Sequence, residues 1–272
     1  MTLVNVLLDR VFEILLQPFA SLPILGSLAV VSFLTAIAIL LVTHRSANPQ
    51  RLHETKRQMY ADLLEIRLFK DDLGAMLQAQ GSLFRHNAAY LRLALIPALW
   101  ILVPLAFAVV QLQCYFGYSG VGIGKPVLVT AALKSPAFQE ITFDPPAGTH
   151  LDSPAIWFPH LRQVVWRVVV DSAGEYILRL RVGGTTYEKT LHASDRLARR
   201  SPLRPGARLI DEVLNPSETP LADSGPLASI GVAYPDRRVE ILGLQATWVD
   251  AYTLLSIIFV VALKAVLAVL RA

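Results

Sequence analysis

Three apolar runs dominate this sequence: "LPILGSLAVVSFLTAIAILLV" from Leu22, "LALIPALWILVPLAFAVVQL" from Leu93 and "WVDAYTLLSIIFVVALKAVLAVL" from Trp248. At about 20 residues each, they are long enough to cross a ~30 Å hydrocarbon core as helices. The composition agrees, since 54% of the 272 residues are hydrophobic and 17% charged, with a mean hydropathy of +0.48. A single water-soluble domain is therefore not expected. The first run is read as an anchor rather than a secretory signal. No basic region precedes it and no A-x-A-like site follows it, and the cations come afterwards in "THRSANPQR".

Charge then sets the expected topology. Arg45, Arg51, Lys56, Arg57, Arg67, Lys70, Arg85 and Arg92 lie between the first two spans, and short loops with that cationic load are retained in the cytoplasm. Residues 118–247 also contain arginines, but long translocated domains largely escape the charge rule, so this segment is expected outside. The protein is accordingly expected in the plasma (inner) membrane as a multi-pass chain, N-terminus out and C-terminus in. The net charge of +4 and pI near 9.3 are assigned to topology, because no RNA-type motif or aromatic-interleaved basic patch accompanies them. No nucleic-acid partner is expected.

The expected organisation is an amphipathic helix over 1–21, a first span over 22–43, a cytoplasmic helical hairpin over 44–92, a second span over 93–117, an external β-domain over 118–247 and a third span over 248–270. In the lead-in, Asn5, Asp9, Arg10, Glu13 and Gln17 share one helical arc. The helix either lies flat on the outer leaflet or packs against the chain's own spans. Residues 51–92 contain helix formers and no proline. Leu52, Met59 and Ile66 repeat every seventh residue, as do Leu77, Phe84 and Leu91. Two such stripes suit an antiparallel hairpin hinged near Gly74, with simple surface helices as the alternative.

Past the second span the period changes to two. Tyr176, Leu178, Leu180 and Val182 alternate with Ile177, Arg179 and Arg181, as in a half-buried strand, and "DSAGE" and "VGGTT" supply turns. With "KPVLVTAAL", "QEITFDP", "ASIGVAYP" and "RRVEILGL" the count approaches about seven short strands, which suits an immunoglobulin-like sandwich. "RLIDEVLNP" reads as a short helix within a connection, and "GYSGVGIGKP" as a flexible exit loop rather than a phosphate cradle.

Catalytic chemistry is not expected. The one cysteine, Cys114, excludes an internal disulfide, and His44, His53, His86, His150, His160 and His192 have no metal-ligand spacing. Glu140, Asp144 and Asp152 are read as solvated carboxylates. No metal, cofactor or small-molecule substrate is expected. The spans, however, each carry a polar or helix-loosened face. Ser32, Thr35 and Thr43 share one on the first, and Pro97, Pro104 and Gln111 fall seven apart on the second. On the third, Thr253, Ser256 and Lys264 project within about 80° of one another. If those faces converge they line a hydrated groove. Alternatively the hydroxyls pack between helices, and Lys264, about 6 Å from the inner boundary, snorkels.

This order of elements, with "MLQAQGSLFRHNAAYLRLALIPALWILVP" leading from a charged hairpin arm into a proline-containing span, resembles the YidC-type membrane protein insertases. The minimal three-span members are the most similar, over roughly the first 117 residues and the last 25. Two features differ. Bacterial members place an arginine within the first core span, whereas no charge occurs here before Arg45, and their external β-domain precedes the core rather than interrupting it. The resemblance implies a polar groove that lowers the cost of moving short hydrophilic segments across the bilayer. Its candidates are Ser32, Thr35, Thr43, Gln111, Thr253, Ser256 and Lys264. It also implies a hairpin that meets the ribosome or nascent client membrane proteins through Arg51, Lys56, Arg57, Arg67, Lys70 and Arg85. The competing expectation is a non-catalytic envelope scaffold whose external domain binds another envelope protein. Trp157, Phe158 and Trp166 are then either a docking surface or, as aromatic residues of a sandwich more often are, core.

Overall fold

A computed structural model of the chain describes residues 3–19, 22–46, 48–68, 72–135, 140–241 and 243–271. Lys70, one of the hairpin candidates, lies outside them. Among the described residues three helices are long and apolar enough to cross a membrane, which makes this a multi-pass membrane protein by length and composition. A separate β-rich region lies between the second and third of them. The chain forms two units, Met1–Val31 with Ala108–Leu255 and Ser32–Phe107 with Ser256–Ala272.

The first unit begins with helix α1, Leu3–Leu16, closed by a short 3-10 turn at Gln17–Phe19. Phe12 and Leu16, one turn apart, are buried, while Val11 and Ile14 stay exposed. The turn into the first apolar helix, α2 (Ile24–Ser46), is tied by a hydrogen bond from the Ser27 hydroxyl to the Phe19 carbonyl at 2.8 Å. Pro23 sits just before the first helical residue, where its fixed φ and missing N–H cost nothing.

The β-region holds ten strands among the described residues: β1 (Pro126–Leu133), β2 (Ile141–Asp144), β3 (Thr149–Phe158), β4 (Gln163–Val170), β5 (Gly174–Val182), β6 (Thr185–Ala193), β7 (Leu203–Arg204), β8 (Leu227–Val232), β9 (Arg238–Ile241) and β10 (Leu244–Thr247). One antiparallel sheet has the order β3-β4-β1-β8-β7, a second has β2-β5-β6, and β9 pairs with β10. The two larger sheets share one core. Val129, Ala131, Trp166 and Val168 from the first meet Phe143, Leu178, Leu180 and Leu191 from the second, and the Phe143 and Trp166 rings lie 5.6 Å apart.

The alternation read along β5 is the one observed, with Tyr176, Leu178, Leu180 and Val182 inward and the residues between them exposed. Its turn into β6 is Gly183-Gly184, both at positive φ. A two-residue hairpin of that kind follows the strand twist and favours glycine, which adopts positive φ without strain. Three elements go beyond the expected strands: β3, interrupted by two register shifts, the two-residue β7, and the division of "RRVEILGL" between β9 and β10 at Gly243. The helix expected in "RLIDEVLNP" is present as α5, Leu209–Leu214.

The glycine-rich stretch after the second apolar helix differs from the loose loop expected. Gly117, Gly120 and Val121 are buried. Ser119 donates its N–H to Pro235 O at 2.9 Å, Val121 to His192 O at 3.0 Å, and Arg237 donates its N–H to Gly117 O. A Cβ on Gly120 would run into the backbone of Ser194. Glycine is used here for close backbone approach rather than for slack.

In the second unit, helix α3, Pro49–Leu68, and the first part of α4, Leu73–Phe116, form a hairpin. Asn48 caps α3 by accepting the Arg51 N–H at 3.1 Å, with Pro49 as the first helical residue. Asp72 caps α4 through the Gly74 N–H at 2.9 Å. The arm and the second span expected as separate pieces are one helix of 44 residues, about 66 Å long at the usual rise. Pro97 and Pro104 lie inside it and each withdraws one hydrogen bond from the preceding turn. The last helix is α6, Trp248–Arg271.

Candidate functional site

The seven groove candidates are divided between the two units. Gln111 and Thr253 belong to the first. Gln111 is buried, and its side-chain carbonyl accepts from Arg199 Nη2 at 3.4 Å, while Thr253 is exposed. Ser32, Thr35, Thr43, Ser256 and Lys264 belong to the second. There α2 and α6 pack through an edge-on contact of Phe33 with Phe259, ring centres 5.4 Å apart. Ser32 and Ser256 are buried and Thr35 half-buried, as small residues are where helices approach closely.

Further along the same two helices the packing opens into a cleft of about 350 Å³ lined by Leu40, Thr43, His44, Pro49, Lys264, Leu267 and Ala268. Of the seven candidates, Thr43 and Lys264 are the two brought together here. The Thr43 hydroxyl donates to Ile39 O at 2.5 Å and keeps only acceptor capacity. Lys264 is exposed to the cleft, with no hydrogen bond or ion pair to any described residue.

The hairpin is held by a seam that is partly polar. Leu52, Met59 and Ile66 lie on the less exposed side of α3, as expected, but Thr55 and Asp62 on that side are more deeply buried. Asp62 Oδ2 meets His86 Nδ1 at 2.6 Å, and Lys56 lies over the Tyr90 ring at 5.5 Å. On α4 the seam runs through Met76, Ala79, Leu83, His86, Tyr90 and Leu93. The stripe expected to face α3 instead points outward: Leu77 is 63%, Phe84 75% and Leu91 52% exposed.

That outward stripe is longer than the hairpin. Leu73, Leu77, Phe84, Ala88, Leu91, Leu95, Leu99 and Leu102 fall within about 40° of one line along α4 at ~100° per residue, and all are exposed. It therefore runs without interruption from the charged hairpin into the membrane-length apolar segment. Arg51, Lys56, Arg57, Arg67 and Arg85 are exposed on the hairpin surface. Arg51 also lines a crevice of about 730 Å³ between the arms, with Glu54, Gln58 and Arg92.

A second polar cluster closes the free edge of β6. Lys189 is buried, and its ammonium donates to Ser201 O at 2.7 Å and Glu218 Oε1 at 2.6 Å. Burial pulls its pKa below the ordinary lysine value, and the Glu218 carboxylate opposes that shift. The Tyr234 hydroxyl accepts the His192 N–H at 2.9 Å, and Arg204 donates to Glu188 O. Burial pushes the Tyr234 phenol up. Arg200, fully buried, donates to the carbonyls of Tyr118, Ala198, Ser194 and Arg196. Burial, then repulsion from Arg237, brings its pKa down to about 10, which leaves it charged at neutral pH. Tyr234 and Arg204 satisfy β6 backbone that an edge strand otherwise exposes, Lys189 and Arg200 satisfy carbonyls of the segment after β6 and of Tyr118, and the cluster is architectural.

Trp166 is core and Trp157 packs against it, whereas Phe158 is exposed. Asp144 pairs with Arg181 at 3.1 Å and Asp152 with Arg167 at 3.0 Å on the surface. Among the described residues no three His, Cys, Asp or Glu side chains gather as metal ligands. Comparison of the chain with family models, with curated proteins and with solved structures returns no match.

Proposed function

We propose that this protein is a membrane protein insertase or assembly chaperone of the YidC type, acting on apolar segments of client proteins. The observation that supports this most is the stripe on α4. A helix that only anchored a domain would have no use for leucine and phenylalanine side chains exposed along a water-facing arm, because such a surface invites association. A client helix held against Leu77, Phe84 and Leu91 can move along the same face to Leu95, Leu99 and Leu102 and enter lipid without leaving apolar surroundings. The cations around the stripe suit a cytoplasmic position beside the ribosome or the nascent chain.

Photoreactive residues at Leu77, Phe84 and Leu95 are expected to crosslink a short single-span client during its synthesis. Phe84→Asp is expected to lower client insertion about tenfold, since a charge replaces a fully apolar contact. Client insertion unchanged by both depletion and Phe84→Asp would reject the proposal.

The arrangement in the membrane belongs to the same reading: N-terminus out, hairpin and C-terminus in the cytoplasm, β-domain outside the plasma membrane. Cys114 is buried, so it contributes little background to labelling. An impermeant thiol reagent on intact cells is expected to modify a cysteine placed at Thr185 and to spare one at Gln58. Labelling of both positions overturns the topology.

We read the β-domain as an immunoglobulin-like sandwich in which β8 takes the place of the first strand. The orders β8-β1-β4-β3 and β2-β5-β6 support this, as does Tyr176 at the start of β5, whose hydroxyl donates to Ser172 O at 2.7 Å, the pattern of a tyrosine corner. A scaffold function through this domain has one observation in its favour: Leu128, Ile156 and Phe158 are exposed on the outer face of the larger sheet. Full activity from the β-domain on an unrelated anchor would select that reading over insertion.

A further inference from the structure

The cleft between the ends of α2 and α6 joins one uncompensated cation to an aliphatic wall. Lys264 lines it together with His44, and Leu40, Leu267 and Ala268 form its apolar side. No acidic residue occurs from Leu22 to His53 or after Asp250, so the segments that build the cleft, α2, the start of α3 and the end of α6, offer Lys264 no counter-charge. An ammonium near the end of a membrane helix is costly unless water or an anion meets it. Simple snorkelling needs only a path to water. Here the side chain also borders an open notch whose lining includes an imidazole from the neighbouring helix, with Arg45 next in sequence.

We propose that this cleft binds the headgroup of an anionic phospholipid. Lys264 Nζ holds the phosphate oxygens, His44 contributes a ring N–H, and the first part of an acyl chain lies along Leu40, Leu267 and Ala268. Thr43 is not a phosphate donor, because its proton is committed to Ile39 O. It remains an acceptor for the lysine. The pairing of a charged notch with aliphatic walls at the end of two spans selects a lipid over a soluble phosphate, since only the lipid satisfies both surfaces. The inference does not depend on the insertase reading.

The full-length protein, extracted into detergent with equal amounts of phosphatidylglycerol and phosphatidylcholine, is examined by native mass spectrometry. The wild type is expected to retain phosphatidylglycerol in preference. K264M should retain about fivefold less of it, the loss expected for one lysine at a lipid phosphate, while K264R keeps most of it and phosphatidylcholine is unchanged. Equal retention by wild type and K264M overturns the proposal. So does a wild type without preference between the lipids, which decides the matter even if K264M fails to accumulate. Displacement of the bound lipid by millimolar glycerol phosphate or inorganic phosphate overturns the assignment to lipid in favour of a soluble phosphate compound.

Discussion

Trp166→Ala should destabilise the β-domain by about 3–5 kcal/mol, the range for removing a large aromatic side chain from a packed interior. Trp166 is 2% exposed and stands on β4 against Phe143 of β2, so it bridges the two sheets rather than filling space within one. Its neighbours in the core, Val129 on β1 and Leu178 and Leu180 on β5, belong to two other strands, one from each sheet. Strands anchored on both sides cannot collapse far enough to close the space left behind. Hydrogen exchange on the full-length protein checks this, through the amides of β1, β4 and β5 that exchange only on global opening. A loss below about 1 kcal/mol would mean that the two sheets do not share the core described here. Trp166→Phe should lose clearly less, because most of the interface is kept.

Glu218→Gln should cost about 3 kcal/mol at neutral pH, because it leaves the ammonium of Lys189 buried with a neutral partner. Lys189 has no side-chain exposure, whereas Glu218 keeps 15%, so the penalty falls on the lysine. The variant should also carry a distinctive pH dependence. Lys189 has a folded pKa below its ordinary 10.5. Between those two values the unfolded chain binds the proton and the folded chain does not, so stability rises with pH through that window. Without Glu218 the attraction that held the pKa up is gone, and the window extends to lower pH. The variant should therefore recover part of its loss as pH is raised towards 10. Above its ordinary value of 10.0, Tyr234 works in the opposite sense. Its phenol stays protonated in the folded chain and ionises in the unfolded one, so stability falls as pH rises further. Denaturation of the full-length protein between pH 7 and 10 separates the two effects. A penalty independent of pH in that range would show that Lys189 is not the group left uncompensated.

On the hairpin, the more hydrophobic seven-residue repeat marks the inward side of one arm and the outward side of the other. Although Leu63, Leu64 and Leu68 are exposed, Leu52, Met59 and Ile66 lie on the expected side of α3, because on that arm the residues of the single apolar seven-residue repeat are also inward-facing ones. On α4 this does not hold. Met76, Leu83 and Tyr90 repeat every seventh residue and lie on the less exposed side, as does the second set of Ala79, His86 and Leu93. Leu77, Phe84 and Leu91 repeat with the same period and are more hydrophobic. Period alone cannot choose between two stripes of equal spacing. The choice depends on a partner for His86, and Asp62 lies 24 positions away in sequence. A buried ion pair or hydrogen-bonded pair inside an otherwise apolar seam specifies register at little gain in stability, and it has no hydrophobic signature.

The polar residues of the spans behaved similarly. Ser32, Thr35 and Thr43 do share one side of α2, since helical geometry requires it. Whether such a side faces a neighbour, a cleft or lipid depends on how close the adjacent helix comes. Next to Phe33 and Phe259 the helices touch, and at Thr43 and Lys264 they part.

Three spans, a charged helical connection and a strand-rich insertion could all be read from the amino-acid order, because each rests on a local quantity: apolar length, charge density or a repeat of two residues. The outward turn of the α4 stripe, the cation left alone in its cleft, and the pairing of β8 with β1 rest instead on contacts between residues far apart in the chain. Solvation and chain geometry act on every segment independently and leave a periodic trace. Packing selects among orientations that are equivalent for an isolated segment, so the sides on which Phe84 and Lys264 emerge are set only once the neighbouring helices are in place.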